Sequence, residues 1–232
     1  MRLAAMYLAA AFTLAAATPD AVNPDLIRAR DTQDRAALER LESQAASDAQ
    51  KQANDAQTQY RAALASSYLA EVAIEVGDKT RARSAAESGI QAGQHAVALN
   101  AQSAEFHRLL GTLCGQAVSS NPLWVLKYGR CAQDEINKAI ELDPKSALNY
   151  VGRGVGNYYL PAAMGGGVDI AIKDFQKAIA LDAKLAEAHL WLGIALRKAG
   201  RNADAHAELQ KAADLAPARV WAKQQLAKTP AQ

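Results

Sequence analysis

Little in this sequence can build a sheet, and less can do chemistry. Aromatic residues make up 6% of its 232 residues, and there are only two cysteines, three methionines and three phenylalanines. No run alternates Val, Ile, Thr or aromatic residues with polar ones, which excludes a sandwich or barrel. There is no GxSxG elbow, no phosphate loop closed by Lys-Ser/Thr, no HExxH and no CxxC. The four histidines, His95, His107, His189 and His206, stand one to a segment, as packed or solvated residues rather than ligands. Gly165-Gly166-Gly167 lacks the following Lys-Ser/Thr and the preceding strand of a phosphate site, so it reads as a turn. The expectation is a non-enzymatic protein with no cofactor and no metal.

One-sided charge is missing too. The formal net charge is +2, and removal of Arg2 leaves 25 basic against 24 acidic residues. No basic stripe with interleaved aromatics appears, so nucleic acid is not an expected partner. Between Asp31 and Thr58 there is neither Gly nor Pro, and this stretch is expected as one long helix anchored by Leu38 and Leu41.

What the chain has in quantity is alanine, spaced leucine, and Glu, Gln, Lys and Arg. These side chains lose little freedom in a helix, so the fold class is all-α. Residues 1–17 begin Met-Arg, run apolar from Leu3 to Leu14 and end Ala15-Ala16-Ala17. This is the pattern of a secretory signal peptide cut before Thr18. Pro19 arrives too early for a membrane anchor, which needs roughly 20 apolar residues. An exported protein, periplasmic or secreted, with no membrane span after cleavage, is expected. Cys114 and Cys131 then read either as a structural disulfide or as two small buried thiols.

Self-comparison finds a phrase repeated at helix ends: His95-Ala-Val-Ala-Leu-Asn-Ala101, Lys138-Ala-Ile-Glu-Leu-Asp-Pro144, Lys177-Ala-Ile-Ala-Leu-Asp-Ala183 and Lys211-Ala-Ala-Asp-Leu-Ala-Pro217. Successive copies lie 43, 39 and 34 residues apart. Each carries a small Ala where another helix can approach, a large apolar residue one turn on, and a turn-forming end. The last unit adds Leu192-Gly193, a turn at Ala199-Gly200-Arg201, Ala205 and Leu209 on its second helix, and a closing Pro217. This resembles the tetratricopeptide repeat (TPR), with His189, Leu196 and Leu209 where that family usually has aromatics.

The preceding units carry Leu110-Gly111 with Ala132, Ile136 and Ala139, then Asn149–Asn157 with Ala171, Phe175 and Ala178. In the latter, either Gly152 or Gly154 serves as the close-packing glycine. The earliest pairs a helix around 63–76 with one around 79–99. The resemblance implies a TPR-like α-solenoid: an N-terminal segment and long helix over 18–54, four helix pairs over 55–217, and a capping helix and tail over 218–232. It also implies a concave wall lined by the first helix of each pair.

Two places on that frame are candidate partner sites. Polar stripes at helical spacing, Arg108, Thr112 and Gln116, then Asn149, Arg153 and Asn157, with Arg197 beyond, are expected on the concave wall. There Arg would contact a carboxylate. The other is a pair of inserted turns, about 118–130 with Trp124 and Tyr128, and about 158–168 with Tyr158, Tyr159 and Met164. Matched insertions in neighbouring repeats are expected side by side on one edge, and they hold one of three tryptophans and three of seven tyrosines. The long-turned pattern is similar to exported bacterial TPR proteins and to the TPR component associated with periplasmic solute transporters. Two functions follow: a scaffold for another protein or peptide, or a carrier of a small ligand in an apolar pocket.

Overall fold

The computed structural model describes residues 23–120 and 122–231; the expected signal peptide over 1–17 and its cleavage point lie outside the described residues. Among them are eleven α-helices and no strand: α1 (Pro24–Asp31), α2 (Arg35–Lys51), α3 (Ala56–Glu75), α4 (Lys79–Leu99), α5 (Ala104–Ser120), α6 (Val125–Leu142), α7 (Ala147–Tyr159), α8 (Val168–Leu181), α9 (Ala186–Lys198), α10 (Asn202–Leu215) and α11 (Val220–Ala227). Short 3-10 turns stand at Pro122–Trp124 and Ala162–Met164; the first expected insertion, about 118–130, is mostly helix, since α5 runs to Ser120 and α6, with Tyr128, begins at Val125. The helices follow one another as hairpins: α1/α2, α3/α4, α5/α6, α7/α8 and α9/α10, with α11 laid over the end.

Two kinds of connection alternate. Within three hairpins the turn is three residues long, and its middle residue is left-handed: Gln33 (φ 55°), Gly77 (φ 81°) and Gly200 (φ 77°). The residue after it donates its N–H back to the helix, Asp34 to Ala29, Asp78 to Ala73 and Arg201 to Leu196, at 2.8–2.9 Å. This closes the helix end and reverses the chain. Asp34 and Asp78 then cap the next helix by accepting from the N–H of Ala37 and of Arg81. This is why the stretch from Asp31 to Thr58 is not one helix. It breaks at Gln33, which takes the backbone conformation usually left to glycine, and again before Asp55, which caps α3. The long N-terminal helix is α2, the second arm of an additional hairpin.

Between hairpins the connection is four residues in every case: 52–55, 100–103, 143–146, 182–185 and 216–219. Asn100, Asp143 and Asp182 each accept, on the side-chain oxygen, the N–H two residues on, at 2.9–3.2 Å. The recurring Leu-Asn/Asp of the sequence is this turn.

Packing explains the small residues. A Cβ placed on Gly111 would lie 2.8 Å from Ile136, on Gly154 2.5 Å from the Phe175 ring, and on Gly193 2.5 Å from Leu209. In these three hairpins the large residue of the second helix therefore presses on a glycine of the first. Gly154 is the glycine that packs within its own hairpin, whereas Gly152 faces Ile136 of the hairpin before. Three buried apolar clusters result. One runs from Leu26 of α1 to Ala132 of α6, one from Ile140 to Ala205, and one joins α9, α10 and α11 around Leu190, Leu209 and Ala222.

Candidate functional site

The first helices α3, α5, α7 and α9 stack in order and form the inner wall. Each carries one polar side chain that reaches a backbone carbonyl six residues upstream: Gln59 to Ala53 (3.3 Å), His107 to Ala101 (3.0 Å), Asn149 to Asp143 (2.9 Å) and His189 to Ala183 (3.1 Å). Gln59 and Asn149 also bond a carbonyl of the preceding helix, and the two histidines bond Glu135 and Glu208 through Nδ1. Asn149 is 1% exposed, so it is a junction clamp rather than a wall residue open to a partner.

The other wall candidates are also paired inside the chain. Arg108 forks onto Glu105 (2.5 and 2.7 Å), which accepts as well from the Tyr60 hydroxyl. Burial would raise the Glu105 carboxyl, but Arg108 and Tyr60 hold it below its ordinary range. Thr112 donates to the Arg108 carbonyl and Gln116 to that of Ser67. Arg153 and Asn157 both bond Asp174 of α8. Arg197 is bound by Gln225 and Thr229 at the end of α11. Helical spacing brought these residues to one side of the stack, and the chain itself answers them.

The aromatic residues of the two inserted turns gather in two separate clusters. Trp124 stacks on Tyr128 (5.4 Å between centroids), with the Lys127 ammonium 4.9 Å from the indole ring and Arg83 of α4 5.8 Å away. Beside that pair, Leu123 is 77% and Leu126 92% exposed. Cys114 of α5 and Cys131 of α6 form a disulfide below this tip, with Cα atoms 6.0 Å apart. The second turn gathers on a different neighbour. Tyr158 and Tyr159 meet Trp191 of α9 at 5.9 and 6.3 Å, and Trp191 touches Phe175 and Trp221 in turn. Tyr159 and Met164 remain half exposed. Gly165 and Gly167 turn this loop with φ of 85° and 118°, and the Gly167 N–H donates to Asn157.

A feature without any local sequence signal closes the inner wall. Arg219, in the connection before α11, is fully buried and crosses to the opposite end of the chain. It bonds Glu71 of α3 (2.5 Å) and both carboxylate oxygens of Glu75, and it donates to the Arg30 carbonyl (3.4 Å). Asp31 lies 3.9 Å from its Nε, and Gln33 joins Glu75 to Gln224 of α11. Burial and then the Glu71 charge push the Glu75 carboxyl up to about 7, against the pull of Arg219. The closure borders a partly open cavity of about 270 Å³, with Arg30, Glu187 and Arg219 at its polar end and Leu148, Leu185 and Leu190 among its apolar walls.

Among the described residues, no group of His, Cys, Asp and Glu is placed to hold a metal, and no helix is long and apolar enough to cross a membrane. Solved structures of TPR proteins are similar to this chain. One is a thermophilic TPR protein, TTC0263 of Thermus thermophilus, with 20% identity over 83% of this chain and 88% of that one, and a TM-score of 0.58. Two others are MamA of Desulfovibrio magneticus RS-1 (16% identity, 86% and 99% covered, TM-score 0.43) and YrrB (17%, 88% and 90%, 0.42), the latter described as a TPR protein with an unusual peptide-binding site. The protein has a TPR solenoid fold. Comparison with curated proteins finds no match. Residues 25–160, more than half of the sequence, match a family model spanning α1 to the end of α7, and the chain belongs to the family described as Regulator of microtubule dynamics protein 1-3.

Proposed function

We propose that this chain is an exported, non-enzymatic scaffold that docks another protein on the tip of its first inserted turn. The observation that carries the reading is the exposure of Leu123 and Leu126 beside the Trp124–Tyr128 stack, greater than that of any other large apolar side chain among the described residues. Exposed leucines next to a half-buried indole, rimmed by Lys127 and Arg130, fit a partner with an apolar pocket and carboxylates at its edge. The inner wall supports this by contrast, because its arginines are already bound within the chain. Export is supported by the sequence pattern of residues 1–17 and by a disulfide, which persists in oxidising compartments.

The test is a photo-crosslinking residue at Leu126 in the native host, against the same residue at Arg40 on the exposed face of α2. A discrete adduct at Leu126 only is expected. The double variant Leu123→Asp, Leu126→Asp should lose that partner while keeping the wild-type melting temperature. Undiminished capture by the double variant would refute the assignment.

The cavity beside Arg219, partly open to solvent, is the basis of a second reading, a carrier of a small ligand. Its size and its leucine-lined wall would suit a compact, largely apolar molecule, and because its arginines are already bound to carboxylates the polar end offers no free cation to an anionic group. Native mass spectrometry of protein purified from its host separates the two, since a carrier would retain a small-molecule mass and a scaffold would not.

A further inference from the structure

The contact between the two ends of the chain differs in kind from every other interface in the molecule. Hairpins pack through buried apolar clusters, but none of the three clusters joins α1–α3 to α10–α11. The seam is made by polar side chains instead. On the N-terminal side stand Arg30, Asp31, Gln33, Tyr68, Glu71 and Glu75. Arg219 and Gln224 answer from the C-terminal side, Trp221 stacks near the guanidinium at 5.6 Å, and Glu187 of α9 flanks the cavity. Charge is not balanced there: four carboxylates face two guanidinium groups, and the buried Arg219 Nε has no hydrogen-bond partner. Buried ion pairs return little net free energy after desolvation, unlike apolar packing of the same area. The seam is therefore the weakest interface by construction.

Gln33 adds an independent observation. It occupies a left-handed backbone position that its two equivalents fill with glycine, and a non-glycine residue is strained there. Its side chain is what bridges Glu75 and Gln224 across the seam. The chain tolerates backbone strain at the one turn whose side chain holds the ends together.

We propose that Arg219 and Gln33 form a clasp by which the C-terminal segment closes the inner wall in cis, and that this clasp opens as a unit while the hairpins stay folded. Opening uncovers the cavity and the inner wall, so access to both is set by an intramolecular contact. Closure needs only two side chains to seat, and release disturbs no apolar cluster.

Hydrogen exchange along the full chain tests this, with small-angle scattering as a check on size. In Arg219→Ala, amides of α1 and α11 should exchange together at least about tenfold faster, the radius of gyration should rise, and α5–α8 should keep wild-type protection. Arg219→Ala leaves buried carboxylates unpaired and can unfold the protein, so Gln33→Gly is the second variant. It removes the bridge and relieves the strain, and should speed exchange at both ends severalfold with no loss of melting temperature. Unchanged exchange at α1 and α11 in the Gln33→Gly protein would overturn the clasp. So would acceleration spread evenly through α5–α8 in that variant, which would make the seam a part of the general fold.

Discussion

Gly193→Ala adds a single methyl where the last hairpin is tightest. The new Cβ would sit 2.5 Å from Leu209 Cγ and 3.0 Å from both Leu209 Cδ2 and the Ala205 carbonyl oxygen. Two carbons at van der Waals contact lie roughly 3.5–4 Å apart, so one side must retreat by about an ångström. Leu209 is fully buried among Leu190, Ile194, Ala212 and Ala222, and the Ala205 carbonyl belongs to the backbone of α10, so neither can swing away. Overpacking of this kind costs about 1–3 kcal/mol. Alanine recovers up to about 1 kcal/mol of helix propensity over glycine. The net expectation is a loss of about 1–2 kcal/mol, or roughly 2–8 °C in Tm for a domain of this size. Gly193→Leu should lose more.

Thermal unfolding followed by circular dichroism measures this, and the double variant Gly193→Ala, Leu209→Ala identifies the cause. The second truncation opens the space that the first fills, so the pair should be less destabilised than the sum of the single changes. A Gly193→Ala protein that melts at or above the wild-type temperature would show that α9 and α10 are not packed in this register.

Other expectations are as direct. Glu75 has a folded value near 7 against an ordinary 4.5, so the folded protein binds the proton more tightly between those values. Stability should accordingly fall as pH rises from about 4.5 to 7, by at most about 3 kcal/mol, and Glu75→Gln should flatten that slope in urea titrations at pH 5 and pH 8. Cys131→Ser opens a short loop and should cost on the order of 3 kcal/mol, read as a lower denaturation midpoint; a midpoint equal to that of the wild type would show the disulfide to be idle. His189→Ala removes the buried ring that bonds the Ala183 carbonyl and Glu208, leaving Glu208 only its Lys211 contact, and should cost about 1–3 kcal/mol by the same assay. Protein recovered from its native host should begin at Thr18 by intact mass, and a retained Met1 would refute export.

The repeats were legible because their packing is local. From α5 to α10 Ala-x3-large on the second helix faces a glycine on the first, and Asn100, Asp143 and Asp182 end three hairpins by an Asx turn, so spacing recovers these units. The α1/α2 break was hidden because Gln33 stands where Gly77 and Gly200 mark the equivalent turns. Arg108, Arg153 and Arg197 were rightly placed on helices, but a stripe cannot reveal that Glu105, Asp174 and Gln225 already bind them. The excess length of two hairpins was legible but not its form: one has an eight-residue turn whose preceding tyrosines pack on Trp191, the other mostly longer helices about a four-residue turn. Arg219 carried no signal at all, since its partners lie 144 and 148 residues away.

The junctions between hairpins have a consequence for how such a chain can vary. A side chain of fixed reach must span from Gln59, His107, Asn149 or His189 to a carbonyl six positions earlier, and every junction is four residues long. An insertion or deletion there would pull the clamp from its acceptor and shift the next hairpin against the last. The turn inside a hairpin is under no such ruler; it is three residues between α9 and α10 and eight between α7 and α8. Growth in length is thus channelled to the span between junctions. The unequal 43-, 39- and 34-residue intervals arise there, as an eight-residue turn between α7 and α8 and as longer α5 and α6 about a four-residue turn, and new surface can be added without changing how the units stack.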